Sequence, residues 1–212
     1  MMVKILQTPS PVIKTPEQIE ISREARRTET LRMMKKGKTN VGRWTRSGEC
    51  TADYRWFDRA MAAGKLIPEN IGRVLDLGCG DMKMEQCLPP GCSYIPLDVS
   101  KRDDRTIVVD LNRKVPKIEA DFVVGMGVLE YLLDVPNVLR KIARQIPEGL
   151  FSYHPFEKSP KRDRLAMGWV NALSSKELIA LLHYAGYKSV DVVEYAATLH
   201  FYRVSKTRSP TA

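Results

Sequence analysis

The sequence has few cysteines and no long apolar segment, and each absence excludes a class of protein. Its four cysteines form no Cys-x-x-Cys pair and have no histidine partners at zinc spacing, so we expect a reduced protein without a metal site. No apolar run approaches the roughly 20 residues that span a bilayer. Residues 1–20 contain three prolines and lack the apolar centre of a signal peptide. The sequence therefore predicts a cytoplasmic protein with no membrane partner.

The length of the chain limits the number of domains, and the charge distribution limits the kinds of partner. A chain of 212 residues can bury one good-sized core but not two full domains. Residues 1–50 hold eleven Lys/Arg and five Asp/Glu, so +6 of the net charge of +9 lies in the first quarter of the chain. Such a basic arm suits nucleic acid, an anionic small molecule or a membrane surface, and the alternative is a solvated helix face with a loose tail. No RNA-binding signature with interleaved aromatic residues accompanies the charge.

Residues 1–66 predict a basic N-terminal extension that caps the rest of the protein. A proline in the first turn and alternating charges predict an exposed helix over 16–36, and a stretch rich in Gly, Thr, Asn and Ser predicts a loop over 37–48. A second helix is expected over 51–63, with Thr51 as its N-cap. This helix precedes the first strand directly, and we expect it to form a lid over a cofactor or an acceptor.

Residues 67–207 show short apolar runs that alternate with helical segments. We predict strands at 73–77, 93–98, 106–110, 120–125, 149–153, 188–194 and 198–204, and helices at 81–88, 135–145 and 174–185. The first five strands are continuously apolar, as expected when both faces of a sheet are covered, and the last two are close enough to form an antiparallel hairpin. The predicted fold class is α/β: a doubly wound, mostly parallel seven-stranded sheet with a C-terminal antiparallel hairpin and an N-terminal helical extension.

The end of the first predicted strand is the most informative stretch of the sequence. The apolar run of residues 74–77 contains Asp76 and leads into Gly78 and Gly80, which lack the Cβ atom that would keep a ligand away from the backbone. Asp98 ends the next strand, where its carboxylate can accept both hydroxyl protons of a ribose. This pairing predicts a cofactor that contains a nucleoside.

Five segments, in this order along the chain, resemble the class I S-adenosylmethionine-dependent methyltransferases over residues 72–206. They are residues 74–80, Asp98, residues 108–111, residues 121–132, and residues 173–178 with 185–187. One position departs from the family pattern, because Met82 stands where a third glycine is usual. In dinucleotide-binding proteins that glycine eases close packing at the helix that carries the pyrophosphate, so its replacement disfavours the rival interpretation as an NAD-binding protein.

The resemblance implies S-adenosylmethionine as the cofactor. The residues it implies for cofactor binding are Asp76, Gly78, Cys79, Gly80, Asp98, Val99, Asp110, Leu111, Gly125 and Met126. Asp110 is expected to bond the adenine edge with Leu111 against the ring, and Gly125 and Met126 end the strand where the methyl group is presented. For the aspartates the alternative is ordinary capping of strand ends, and for Gly125 it is packing alone.

The acceptor is expected outside the carboxyl ends of the strands, as in other open α/β sheets. His154 follows the fifth strand at this end and is the best candidate for a general base, unless it is a loop histidine with a hydrogen-bonding role. Glu130 and Tyr131 follow the fourth strand and are further catalytic candidates, or simply turn residues. The basic segment 155–168 is expected either to cover the acceptor pocket and select an anionic substrate or to be solvated charge.

These expectations define one function and one alternative. The first is in-line transfer of a methyl group from S-adenosylmethionine to oxygen or nitrogen of a small-molecule or sugar-like acceptor. The alternative is a nucleic-acid methyltransferase that uses the basic arm to hold phosphates. Residues 125–128 lack the Asn/Asp-Pro-Pro-aromatic motif of enzymes that methylate exocyclic amino groups of bases, so only ribose or ring-nitrogen targets stay open in that alternative.

Overall fold

The computed structural model describes residues 15–45 and 54–207, so the predicted N-cap Thr51 lies outside the described residues. The helices are α1 (Pro16–Lys35), α2 (Val41–Thr45), α3 (Tyr54–Gly64), α4 (Val135–Gln145) and α5 (Ser175–Ala185). The strands are β1 (Arg73–Leu77), β2 (Ser93–Asp98), β3 (Ile107–Val108), β4 (Phe122–Met126), β5 (Glu148–Tyr153), β6 (Ser189–Ala196) and β7 (Leu199–Ser205). In the described ranges no helix combines the length and the apolarity needed to cross a membrane.

The strands form a seven-stranded sheet in the order β3-β2-β1-β4-β5-β7-β6. The first five strands in this order pair in parallel, and β7 pairs antiparallel with both β5 and β6. The predicted fold class is therefore confirmed. The strand order reverses between β1 and β4, and in open α/β sheets ligands bind at the carboxyl ends of the strands beside such a reversal.

Alternate residues of the central strands pack into two apolar layers, one on each face of the sheet. On β4, Val123 lies in the layer that includes α4 and α5, whereas Phe122 and Val124 lie in the layer that includes α3. All three side chains are fully buried, which explains why the strand is continuously apolar. Ala60 and Ala63 of α3 belong to the second layer, so this helix packs as part of the core of the sheet.

Two local predictions were wrong. A helix was expected over 81–88, but only a 3-10 turn at Glu85–Cys87 forms, because Gly80 and Met82 have φ values of +53° and +59° and left-handed backbone cannot begin a right-handed helix. The loop predicted over 37–48 contains the short helix α2. A distant residue holds the segment before α2 in place, since the backbone N–H of Thr39 donates to Oδ2 of Asp110 over 2.8 Å.

The backbone of Met82 yields a stability prediction. An L side chain loses about 1 kcal/mol or more in left-handed backbone, and glycine does not. We therefore expect Met82→Gly to have a free energy of unfolding about 1 kcal/mol higher than Met82→Ala, measured by urea unfolding. Alanine is the matched control because it also removes the side chain but keeps Cβ. Equal stabilities of the two variants would contradict the left-handed conformation.

Candidate active site

A cavity of about 930 Å³ lies at the carboxyl ends of β1, β2 and β4 and is covered by residues of α2 and α3. Residues predicted from separate parts of the sequence meet here: Asp76, Gly78, Cys79, Gly80, Asp98, Val99, Leu111, Met126, Glu130, Tyr131 and His154 all line it. Of the residues expected at the site, Asp110 and Gly125 do not line this cavity. No cluster of possible metal ligands occurs in the part of the chain that the structure describes.

The glycine loop after β1 presents bare backbone to the cavity. Gly78 has a φ of +70°, and a Cβ atom there would lie 3.0 Å from the side chain of Val128. The nearest atom to a Cβ built on Gly80 is 4.0 Å away, so the space beside it is open. The backbone N–H groups of Gly78 and Cys79 donate to the carbonyl of Leu97 on the neighbouring strand, which fixes the loop. A ligand can therefore approach the loop closely on one side only.

Asp98 is fixed by several donors and keeps part of its capacity to accept hydrogen bonds. Oδ2 accepts from the backbone N–H of Gly80 over 2.9 Å, and Oδ1 accepts from the N–H of Ser100 and from Nη2 of Arg102. The side chain is 5% exposed and lines the cavity. Oδ2 therefore has room for one ribose hydroxyl, whereas a second hydroxyl at Oδ1 would have to replace the donor of Arg102.

Asp76 lies deeper in the same cavity. Its Oδ2 accepts a hydrogen bond from the hydroxyl of Tyr94 over 2.7 Å. Burial raises the pKa of Asp76 to about 7, against the effect of this hydrogen bond. An ammonium group bound nearby would favour the ionised carboxylate, so Asp76 is suited to a cofactor amine.

Asp110 and Gly125 have other roles in the structure. The carboxylate of Asp110 accepts from the N–H and the hydroxyl of Thr39 and from the N–H of Asn112, so its oxygens are directed at the segment before α2. A Cβ atom on Gly125 would lie 2.9 Å from the ring of Phe151, which agrees with the packing alternative. Val109, which the sequence did not single out, lines the cavity beside Leu111.

His154 is held in one orientation at the cavity wall. Its Nδ1 lies 2.6 Å from the carbonyl oxygen of Thr198, and because a carbonyl can only accept, the proton of the neutral ring is on Nδ1 and the lone pair is on Nε2. The ring stacks on Trp169 with 4.9 Å between centroids. Burial and the nearby Arg162 lower the pKa of His154 to about 4, so the imidazole is neutral at physiological pH.

Glu130 and Tyr131 complete the wall next to His154. Glu130 is fully buried, and its Oε1 accepts from the backbone N–H of His154 over 3.0 Å while Oε2 has no hydrogen-bond partner. Burial raises the pKa of the Glu130 carboxyl. The hydroxyl of Tyr131 accepts from Nε1 of Trp169, and its ring meets Trp44 edge to face. Burial raises the pKa of Tyr131 to about 12, which makes this hydroxyl a poor proton donor at neutral pH.

Sequence reasoning missed two kinds of cavity residue. Trp44 and Trp169 line the cavity although no local motif marks either of them, whereas Trp56, which also lines it, lies on the helix that the sequence predicted as a lid. Arg59 on α3 also lines it and donates from Nη2 to the carbonyl of Met126 over 3.1 Å. For Trp44 and Trp169, the only signal in the sequence was that tryptophan is rare in this chain. Arg59 gave no signal, because nothing in α3 tells which of its charged residues turns inward.

The segment 155–168 is anchored rather than simply solvated. Arg164 is buried, donates to the carbonyls of Asn171 and His154 and to the hydroxyl of Tyr153, and stacks on Trp169. Helix α1 binds the same segment through an ion pair between Arg27 and Asp163 at 2.6 Å.

The basic residues of α1 leave little free positive charge in the described helix. Arg23, Arg27 and Arg32 each pair with glutamates of the same helix. A phosphate backbone would have to compete with these carboxylates. The described part of the arm therefore gives no support to nucleic-acid binding.

Comparison with known proteins agrees with this geometry. A family model described as a methyltransferase domain matches residues 49–192. No curated protein matches the chain in sequence. The N-terminal domain of EvdMO1, crystallised with S-adenosylhomocysteine and D-fucose, is 19% identical, with 91% of this chain and 97% of that chain covered and a TM-score of 0.57.

Two further solved structures share the fold. The mitomycin 7-O-methyltransferase MmcR is 16% identical over 91% of this chain and 69% of that chain, with a TM-score of 0.58. An S-adenosylmethionine-dependent methyltransferase from Mesorhizobium loti is 19% identical over 69% of this chain and 96% of that chain, with a TM-score of 0.55. The bare glycine loop and the spare acceptor position on Asp98 fit a nucleoside cofactor. The chain therefore belongs to the methyltransferase domain family, as a class I enzyme that uses S-adenosylmethionine.

Proposed function

We propose that the protein methylates an oxygen atom of a small-molecule or sugar-like acceptor, with His154 as the general base. The observation that carries the proposal is that His154, whose Nδ1 is bound to the Thr198 carbonyl and whose lone pair is therefore on Nε2, lines the same cavity as the glycine loop and Asp98. A base is needed only when the acceptor atom carries a proton at neutral pH, as a hydroxyl does. A neutral imidazole with its lone pair free is suited to that task.

The residues around the cavity divide into a cofactor end and an acceptor end. Gly78 and Gly80 would hold the methionine part through their backbone, Asp98 the ribose, and Leu111 the adenine ring, with Asp76 beside the amine. When bound, S-adenosylmethionine supplies a methyl carbon on a positively charged sulfur that departs as a neutral thioether.

The acceptor end lies between β4 and the segment after β5. Met126 and His154 are there, and Trp169, which stacks on His154, gives this end an aromatic wall that suits a flat or ring-shaped molecule. Holding the acceptor oxygen, the methyl carbon and the sulfur in line supplies most of the rate acceleration, because the reaction needs no covalent intermediate. Two of the solved structures support a small acceptor, since one was crystallised with D-fucose and the other is named as a 7-O-methyltransferase of mitomycin.

The low pKa of His154 limits which hydroxyl groups the protein can methylate. A base whose pKa is about 4 takes a proton readily only from an acidic hydroxyl or in a step concerted with formation of the new C–O bond. Phenols and enols meet the first condition, and sugar hydroxyls would need the second. The proposal therefore ranks acidic hydroxyls above alcohols within the class of oxygen acceptors.

A methyl-transfer screen tests the proposal. Purified protein is incubated with S-adenosylmethionine that carries a labelled methyl group and with pools of phenols, enols, sugars, amines and RNA. We expect label in a phenol, enol or sugar product, with fragmentation placing the methyl group on oxygen. Labelled amines or RNA, with no labelled oxygen product, would contradict the proposal.

A further inference from the structure

Three residues of the cavity wall each leave a buried polar atom without a hydrogen-bond partner in the described part of the chain. One is Arg102, which already pairs with Asp98 through another nitrogen; the other two are Arg59, whose Nε is a donor, and Glu130, whose Oε2 is an acceptor. An unpartnered buried polar group destabilises the folded protein, and such groups in native proteins need an explanation. Because Arg59 and Glu130 both line the cavity, a bound molecule can supply what each of them lacks.

Arg59 is a partly buried cation, with a buried Nε, that has no carboxylate partner among the described residues. No Asp or Glu oxygen in residues 15–45 and 54–207 lies within 4.0 Å of its guanidinium nitrogens, and one nitrogen, Nη2, donates to the carbonyl of Met126. Burial lowers the pKa of Arg59, while Glu130 and Asp76 favour its charged form. The guanidinium is therefore charged and has donors to spare.

The end of β4 makes room for this guanidinium. Gly127 has a φ of +79°, and a Cβ atom at this position would lie 3.0 Å from Nη1 of Arg59. Met126, whose carbonyl Arg59 contacts, is the last residue of β4. The cation is thus fixed between the glycine-loop side of the cavity and the wall that carries Glu130 and His154.

Titratable side chains from several elements surround Arg59. Those that face it or share its wall are Asp76, Glu130, Tyr131, His154 and Tyr195. Arg162 and Arg164 also act electrostatically on His154, and Asp58 is an exposed acid on the cavity wall. A ligand oxygen beside Arg59 would therefore share one cavity with the guanidinium of Arg59, the neutral imidazole of His154 and the buried carboxyl group of Glu130.

We propose that Arg59 is a catalytic residue that binds the acceptor oxygen through its spare N–H donors and stabilises the negative charge that develops there. The proposal deepens the proposed function and rests on it. The O–H bond of the acceptor breaks and its proton goes to Nε2 of His154; the oxygen forms a bond with the methyl carbon, and the electron pair of the C–S bond goes to sulfur. A fixed cation at the oxygen offsets the weakness of His154 as a base, because it favours the ionised acceptor.

A chromogenic phenol tests Arg59 without methyl transfer. The probe is 4-nitrophenol, whose absorbance reports its ionisation, bound to the complex of the protein with S-adenosylhomocysteine. We expect the pKa of the bound probe to lie about one pH unit or more below that of the free probe, since an opposite charge at this range has such an effect. Arg59→Gln should abolish the difference, and Arg59→Lys should keep only part of it because lysine lacks the forked donors.

Matched controls separate Arg59 from its surroundings. Arg162→Gln removes another guanidinium near His154 and should keep most of the change in the pKa of the probe. Arg59→Gln should leave the affinity for S-adenosylhomocysteine within about twofold of the wild type, since the proposed contact is with the acceptor. A loss of about tenfold or more would show that Arg59 holds the cofactor carboxylate instead, and would overturn the proposal.

The remaining outcomes of the probe experiment also support or overturn the role of Arg59. A wild-type complex that does not bind the probe, or that binds it with an unchanged pKa, would overturn the role of Arg59. Should Arg59→Gln fail to fold, Arg59→Lys decides: a smaller change in pKa than the wild type supports the proposal, and an identical one overturns it. The proposed function fails separately, in the methyl-transfer screen, because the probe experiment involves no turnover.

Discussion

Asp98→Ala is expected to weaken the binding of S-adenosylhomocysteine by about a hundredfold or more. If Asp98 binds the ribose as proposed, the variant loses a charge-assisted hydrogen bond to the ribose, and it also frees the backbone N–H of Gly80, which Asp98 holds in position at 2.9 Å. The lost bond to the ribose is worth about 1.5–3 kcal/mol, and a glycine loop that is no longer held in position lowers the affinity further, so the loss should reach the roughly 2.7 kcal/mol that corresponds to a hundredfold change. Isothermal titration calorimetry measures the affinity directly.

Two variants serve as controls for Asp98. Asp98→Asn keeps the shape and one acceptor oxygen, so its affinity should fall between those of the wild type and Asp98→Ala. Asp110→Ala removes a carboxylate that does not itself line the cavity and that binds Thr39 and Asn112, so it should weaken binding much less than Asp98→Ala does. If Asp110→Ala were the more damaging change, the adenine contact expected from the sequence would be supported. An absence of binding heat for the wild-type protein would remove the assignment of this cavity to the cofactor.

The sequence could predict the cofactor end because its signals are local. An apolar strand that ends in Asp76, Gly78 and Gly80 specifies a strand, a turn and a bare backbone within a few residues, and Asp98 ends the adjacent strand. Parallel pairing then brings these ends together without further information. The alternating strands and helices likewise specify the doubly wound sheet, because each apolar run needs cover on both faces.

The directions of several other side chains depend on contacts between distant residues, and sequence patterns do not encode these contacts. The carboxylate of Asp110 turns away to Thr39, which precedes it by 71 residues. The inward direction of Arg59 is set by the carbonyl of Met126 and the missing side chain of Gly127. The absence of a helix at 81–88 was also not predictable from the sequence. It follows from the left-handed backbone of Met82, a conformation that no sequence pattern at this position indicates.

The low pKa of His154 determines how activity should respond to pH. The folded pKa of about 4 lies below the ordinary histidine value of 6.5, so burial of the neutral ring contributes stability that is fully present above about pH 6.5 and is lost as the pH falls towards 4. At neutral pH the base is already unprotonated. We therefore expect kcat/KM to show no loss assignable to His154 between pH 6 and 8, and to fall only as the pH approaches about 4.

His154→Ala is expected to lower turnover by about a hundredfold to ten-thousandfold, the range that a general base supplies, while the affinity for S-adenosylhomocysteine stays within about twofold of the wild type. The proposed cofactor contacts lie at the ends of β1 and β2, and His154 follows β5, which is why the two readouts should separate. Turnover is measured with the acceptor identified in the methyl-transfer screen, and affinity by calorimetry.

His154→Asn distinguishes a base from a loop anchor. The amide nitrogen of asparagine can replace Nδ1 as donor to the carbonyl of Thr198, so it keeps the anchor, but it offers no lone pair in the position of Nε2. If His154 acts as the base, both variants lose turnover to a similar extent, because the proton of the acceptor has no group to receive it. If His154 only holds the segment after β5 in place, His154→Asn should retain most of the activity and His154→Ala should not. Similar losses in both variants, with cofactor binding intact, would therefore support proton transfer to Nε2 over an anchoring role.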